Sequence, residues 1–309
     1  MTKNQNVAVI VPIFNGGTVW RHCASILQAS HCRPTVILAI DSASSDNSDK
    51  FALDAGFDLI RIDKNDFDHG GTRQMAAERL RDCDILIYMT QDAILASPAA
   101  LESLVEVFND PSIGVAYGRQ LPRKGASPIE AHARLFNYPA QSNKRTLADK
   151  KSMGIKVAFS SDSFAAYRTS ALFAVGGFPE KLIFGEDMVV AAKMLQAGWS
   201  VAYVAEAEVF HSHGYTLLQE FKRYFDIGVF HDNQGWMLRE LGKPEGEGYR
   251  FVTSEIRYLL ANAPQYLPSA ALRTVLKYFG YKLGLGYRRL PKRVIDRCTM
   301  HKRFWLTNP

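Results

Sequence analysis

The sequence predicts an α/β fold, a mostly parallel sheet flanked by helices and followed by a C-terminal helical extension. Three observations predict it. From Val7 to Tyr117, short apolar runs alternate with polar, helix-compatible segments. Acids, glycines and capping residues gather directly after those runs, where strands hand over to helices. After His213 the pattern is helical to the end, broken at residues 242–248 and at Pro264, Pro268 and Pro291. Strand and helix in strict alternation imply right-handed βαβ crossovers, hence parallel pairing.

The elements follow in order. Val7 to Val11 reads as a strand, Thr18 to Ser30 as a helix, Thr35 to Ile40 as a strand and Asp46 to Ala55 as a helix. Asp58 to Ile62 is a third strand, Thr72 to Arg81 a helix, and Ile85 to Met89 a fully apolar, buried strand. A helix over Pro98 to Asn109 and a strand over Gly114 to Tyr117 complete the series. From Arg119 to Val157 the periodicity fades, which predicts loops around one helix over Ile129 to Tyr138. Ser163 to Tyr167 is a strand, Gly185 to Gln196 a helix stopped by Gly198, and Val201 to Val204 a last strand.

Composition fits a folded globular chain, with 309 residues, 47% apolar and 22% charged. Cys23, Cys32, Cys83 and Cys298 have no CxxC spacing, which predicts reduced thiols in a cytosolic protein. Residues 1–6 lack the apolar segment of a signal peptide, and no 18-residue apolar run occurs, so neither export nor a membrane span is expected. Charge is uneven. Ten basic residues between Arg273 and Arg303 face one acid, Asp296, so that segment carries +9 and the remainder about −3 of the net +6. Tyr278, Phe279, Tyr281, Leu283 and Tyr287 interleave with those charges, a composition suited to an anionic membrane surface or a phosphate-bearing acceptor, or to a plain solvated helical face. No nucleic-acid motif accompanies the patch, and nucleic acid is not expected as a partner.

The residues that carry chemistry sit at strand ends. The most informative is Asp92, which follows Ile85 to Met89 after Thr90 and Gln91, at the carboxyl end where open α/β sheets bind ligands. A hard cation bridging phosphates needs an oxygen donor there. Strand one exits through Pro12, Ile13, Phe14, Asn15, Gly16 and Gly17, a loop able to approach a flat ligand or simply a strand-to-helix turn. Asp41 and Ser42 end strand two. Asp41 can accept from a ring imide or a ribose hydroxyl, or close an Asx turn. Gly70, Gly71, Thr72 and Arg73 place backbone donors and a guanidinium where a pyrophosphate could dock, or cap a helix beside an exposed arginine. Glu186 and Asp187 open a helix, where acids also serve as dipole partners. His211 and His213 follow the last strand as metal ligands or as ordinary core and surface residues.

Taken in order, VPIFN at 11–15, DSASSD at 41–46, HGGTR at 69–73, TQDA at 90–93 and GGFPEKLIFGEDMVVAAKMLQAGW at 176–199 resemble a family 2 glycosyltransferase with the GT-A fold, over residues 7–215. Within that family, FDHGGTRQ at 67–74 and KRFW at 302–305 are similar to bacterial rhamnosyltransferases, which use dTDP-L-rhamnose in building cell-surface polysaccharide. The resemblance implies a catalytic domain over 1–215, with a nucleotide-sugar half over 1–118 and an acceptor half over 119–215, and a basic extension over 216–309. It implies that Pro12, Phe14 and Asp41 line the base and ribose site, that Arg73 supports the nucleotide or its diphosphate, and that Asn15, Ser42, Gly71 and Gln91 also belong to the nucleotide-sugar site. Asp92 would contact the nucleotide sugar and a Mg²⁺ or Mn²⁺ bound to its diphosphate. Thr90 and Gln91 stand where acids are often found, so one carboxylate remains; His211 or His213 could complete the coordination. Asp187 matches the catalytic base of inverting relatives, with Glu186 the competing candidate. The implied reaction moves a sugar to a glycan or lipid-linked glycan hydroxyl, in the cytoplasm or on the inner membrane face.

Two rival functions share this layout. A sugar nucleotidyltransferase would use a glycine-rich loop such as Gly70 to Arg73, although in those enzymes the loop follows the first strand. A degenerate transferase fold kept for binding would explain the missing acids at 90 and 91.

Overall fold

The computed structural model describes residues 5–243 and 246–307. Nine strands form one sheet: β1 (Val7–Ile13), β2 (Val36–Asp41), β3 (Asp58–Arg61), β4 (Ile85–Met89), β5 (Ile94–Leu95), β6 (Ile113–Leu121), β7 (Asn143–Arg145), β8 (Phe164–Arg168) and β9 (Ser200–Phe210). Their order is β3-β2-β1-β4-β8-β6-β9-β5, with β7 also paired to β9. The helices are α1 (Gly17–Gln28), α2 (Ser48–Asp54), α3 (His69–Arg79), α4 (Ala100–Glu106), α5 (Pro128–Asn137), α6 (Lys150–Met153), α7 (Thr169–Ala174) and α8 (Glu186–Gln196). The extension adds α9 (Leu217–Asn233), α10 (Gly235–Leu241), α11 (Glu247–Asn262), α12 (Leu267–Leu285), α13 (Lys292–Cys298) and α14 (Phe304–Thr307).

Period-two alternation in β1 splits the core. Val7, Val9 and Val11 face α1, α2 and α4, where Trp20, Ala52 and Leu104 are buried. Ala8 and Ile10 face the other layer, built from α3, α7, α8 and α9. Phe225, Val229 and Phe230 of α9 belong to that second core, so packing continues across residue 215.

Every strand expected from the sequence forms, and the α/β architecture with its helical extension is the expected one. The mostly parallel sheet needs correcting beyond β4. β1, β2, β3 and β4 pair in parallel, but β8 runs antiparallel to both β4 and β6. Each strand's apolar pattern reports burial and says nothing of direction. β6 and β9 run past their apolar runs, their register shifting between Gly118 and Arg119. β5 and β7, only a few residues long, leave no periodic signal.

α12 turns two of its charges inward. Arg273 and Lys277 pair with Glu220 of α9 at 2.8 Å and 3.2 Å. Leu272, Val275, Tyr278 and Phe279 point outward and are 47% to 59% exposed. Among the described residues, no helix is long and apolar enough to cross a membrane.

Candidate active site

The loops after β1, β2 and β4 are stitched together. Gln91 Oε1 accepts from the Phe14 backbone N–H at 2.8 Å, and Gln91 Nε2 donates to the Phe14 carbonyl at 3.0 Å. A glutamine supplies both donor and acceptor, which an acid at this position could not do while ionised. Gln91, expected in the nucleotide-sugar site, has its side-chain amide engaged in fixing the β1 loop. Asn15 ties the β1 and β2 loops: its N–H donates to Ser44 Oγ at 2.9 Å and its Oδ1 accepts from the Ser45 N–H at 2.8 Å. Pro12 costs no hydrogen bond to β4, because that pairing ends at Ile10 and Tyr88.

Asp41 closes the turn that is one of its two sequence readings. Its Oδ2 accepts from the Ser44 N–H at 3.1 Å, closing a turn. Its Oδ1 and the neighbouring Ser42 hydroxyl are buried without a protein partner. Unpaired buried polar atoms are costly, and here two belong to successive residues at a strand's carboxyl end, as a ligand-binding position would have them.

Asp92 stands at the end of β4 among nitrogen donors. β5 pairs with β9 through Ile94 and Phe210, and the His211 N–H donates to the Leu121 carbonyl at 3.0 Å, which brings the histidines to the acid. Asp92 Oδ1 lies 3.4 Å from His211 Nε2, and Oδ2 lies 3.9 Å from His213 Nε2. Gln120 Oε1 meets His211 Nδ1 at 2.9 Å, an outer partner that turns Nε2 toward the acid. One donor atom from each of Asp92, His211 and His213 falls within a 4.8 Å cluster, a spacing one cation can bridge. Burial alone would raise the Asp92 carboxyl, but His211, Thr90 and His213 outweigh it and hold it far below the usual carboxylate range. Burial and His211 push His213 down to about 4, leaving its ring neutral and able to coordinate at neutral pH. Arg123, which sequence reasoning missed, reaches the same acid: its Nη2 lies 2.6 Å from Asp92 Oδ2 and 2.8 Å from the Asp92 carbonyl.

A second cluster lies across the same strand end. The Thr90 N–H donates to the Ser163 carbonyl, and the preceding residue, Asp162, donates its N–H to Asp187 Oδ2 at 3.1 Å. Gly185 enters α8 with φ at +83°, and a Cβ there would come within 2.8 Å of the Phe230 ring; only glycine lets Glu186 and Asp187 begin the helix here. Glu186 is buried and pairs with Arg73 at 2.9 Å, while Asp187 is half-buried. Burial would raise Glu186, but Arg73 and His69 hold it below its ordinary value. Burial, Asp162 and Glu186 drive Asp187 well above its ordinary value. Asp187 is thus the stronger base of the two.

The HGGTR segment requires a correction. Arg73 is buried, pairs with Asp162 at 2.8 Å as well as with Glu186, and donates to the His69 carbonyl. The Gly71 N–H is taken by the Asp68 carboxylate at 2.7 Å, which caps α3. The pyrophosphate dock expected at Gly71 and Arg73 is not built, because both donors are spent inside the fold. A Cβ on Gly70 would lie 1.8 Å from the Pro179 carbonyl, so the first glycine permits close packing of α3 on the 176–182 loop. That packing role removes the phosphate-loop argument for a nucleotidyltransferase. Arginine burial leaves no sequence mark, since one cation in a helix start reads alike whether inside or outside.

A cleft of about 890 Å³ opens beside α3. Phe14, Phe67, Asp68, His69 and Glu180 line one side and Met300 to Phe304 the other. Asp226 anchors that tail, accepting from the Thr299 hydroxyl at 2.7 Å and the Met300 N–H at 2.8 Å. The two segments singled out as similar to rhamnosyltransferases, near 67–74 and 302–305, meet across one cavity.

Among solved structures, the fold is similar to mannosyltransferase PcManGT from Pyrobaculum calidifontis in complex with GDP-Man and Mn²⁺, with TM-score 0.61 and 17% identity, covering 99% of this chain and 88% of that one. It is also similar to S. aureus TarS 1–349 in complex with UDP-GlcNAc, with TM-score 0.53 and 13% identity, covering 92% of each. The sequence is 46% identical to the O-antigen chain rhamnosyltransferase RfbN of Salmonella typhimurium, across 97% of this chain and 96% of that protein. It is 45% identical to the O-antigen chain rhamnosyltransferase WbaN of Salmonella anatum, across 96% and 95%. The family described as Glycosyl transferase family 2 matches residues 8–175, so with the GT-A-type fold and two near-full-length relatives, this chain belongs to glycosyl transferase family 2.

Proposed function

We propose that the chain transfers L-rhamnose from dTDP-L-rhamnose to a hydroxyl of an O-antigen polysaccharide precursor, with inversion at the anomeric carbon. The observation that carries the sugar assignment is the near-full-length identity to RfbN and WbaN. Asp41 Oδ1 and the Ser42 hydroxyl would accept and donate to the thymine or ribose, and Phe14, 38% exposed at the cleft, would offer its face. The tail wall of the cleft would hold saccharide.

Asp187 takes the proton of the acceptor hydroxyl, whose oxygen then bonds to the sugar C1 as the C1–phosphate bond breaks and the diphosphate leaves. Glu186, neutralised by Arg73, keeps its charge and raises the basicity of its neighbour. Asp92, His211 and His213 would hold a divalent cation, which when bound neutralises charge on the departing diphosphate. Two imidazoles in the donor set suit Mn²⁺ better than Mg²⁺, which prefers oxygen throughout. The outward apolar face of α12, beside the cationic segment ending at Arg303, suits an anionic membrane carrying a lipid-linked acceptor.

Incubation with dTDP-L-rhamnose, UDP-GlcNAc or GDP-mannose, each with and without Mn²⁺, tests the reading. Mn²⁺-dependent release of dTDP is expected. Faster release of UDP or GDP would replace rhamnose as the donated sugar.

A further inference from the structure

Arg123 is more than a neighbour of the cation site. β6 ends at Leu121, and the Arg123 N–H donates to Ser212 Oγ at 3.1 Å, so the backbone of this residue is locked to the segment carrying both histidines. Its Nη2 reaches Asp92 Oδ2 at 2.6 Å, the same oxygen that approaches His213. A cation bridging Asp92, His211 and His213 would take an oxygen of the carboxylate that Arg123 already holds, and it would meet a fixed positive charge there. Two positive charges cannot share one carboxylate cheaply in a half-buried site. Arg123 Nε, moreover, is buried and has no protein acceptor. The side chain therefore carries an unused donor at the place where anionic oxygens of a donor substrate would arrive with the cation.

We infer that Arg123 is an exchangeable counter-ion: it neutralises Asp92 in the free enzyme and, when metal and nucleotide diphosphate enter together, gives up Asp92 and donates to the diphosphate. This inference rests on the metal and nucleotide reading of the site. It supplies what the missing acids at Thr90 and Gln91 leave open. A lone carboxylate with an arginine on it binds free cation poorly, and it becomes a good ligand only once the phosphates draw the arginine away. Metal and nucleotide would thus bind with positive cooperativity.

The test measures Mn²⁺ binding by the loss of the free-ion electron paramagnetic resonance signal, and dTDP binding by calorimetry, on the full chain. Removing the guanidinium should move the two affinities in opposite directions. Arg123→Gln is expected to bind Mn²⁺ without nucleotide roughly threefold or more tighter than the wild type, through lost charge repulsion. The same variant should bind dTDP in the presence of Mn²⁺ roughly tenfold or more weaker, through the lost charge-assisted bonds. Arg123→Lys, which keeps the charge but not the fork, should retain wild-type Mn²⁺ affinity and still lose dTDP affinity, and it carries the test if the glutamine variant does not fold. If both affinities are unchanged, or fall together, while Asp92→Asn abolishes Mn²⁺ binding, the role of Arg123 is refuted and the cation site stands. If the wild type binds dTDP equally well with and without Mn²⁺, the site reading and this inference fail together.

Discussion

Asp92 and Asp187 flank the end of one strand and live in opposite company. Around Asp92, one acid is outnumbered by Arg123, His211 and His213; around Asp187, the three acids Asp162, Glu186 and Asp187 share the single cation Arg73. The first arrangement holds its carboxyl ionised far below the usual range, and the second drives its carboxyl toward holding a proton. Carboxylates whose surroundings push their proton affinities apart mark out separate chemical roles. On the proposed reading, the residue that would hold a cation sits among donors, and the residue that would accept a proton sits among acids.

Breaking the acid-rich side has the largest expected effect. Asp187→Asn should lower kcat by about a thousandfold or more, within the range for loss of a positioned base, while dTDP binding changes little. Steady-state rates beside calorimetric dTDP titration check both. Arg73→Met leaves buried carboxylates without their cation and should cost about 3–5 kcal/mol of stability, read from chemical denaturation.

The other side is sharpened by milder changes. His211→Ala should weaken Mn²⁺ binding by about 10- to 100-fold without altering the Mn²⁺-free melting temperature by much, as measured by paramagnetic resonance and thermal unfolding. The pH dependence separates the two acids further. Because Asp187 binds its proton more tightly folded than unfolded, it favours the folded state at acid pH, and that stability is lost as pH rises from the unfolded carboxylate value toward the folded one. Asp187→Asn should therefore flatten the fall in melting temperature above about pH 4. Asp92 has the reverse sign. It adds stability above the unfolded carboxylate value and loses it at acid pH, so Asp92→Asn should flatten the acid limb instead.

How much of this was legible in the sequence follows the same division. Asp92, Asp41 and Asp187 announce themselves because each follows an apolar run or opens a helix, and local pattern suffices to place them. Their partners do not. Arg123 lies in the pattern-poor stretch after β6, and it meets Asp92 only because β5 and β6 both pair with β9. Arg73 reads as an exposed helix-start arginine until β8, running antiparallel beside β4, delivers Asp162 to it. Gln91 looks like a lost metal ligand and turns out to clamp Phe14 across the sheet. Pairings between residues far apart in sequence decide those three roles, and no window of sequence contains them.

The cleft between Phe14 and Phe304 has one more consequence. Its walls come from residues 14–183 and 300–304, so as the protein leaves the ribosome the strands and the clusters around Asp92 and Asp187 can assemble while the cavity still lacks a side. The tail wall of the cleft forms only once Asp226 has captured Thr299. A chain halted before Thr299 would hold Asp92, Glu186 and Asp187 and yet lack that wall.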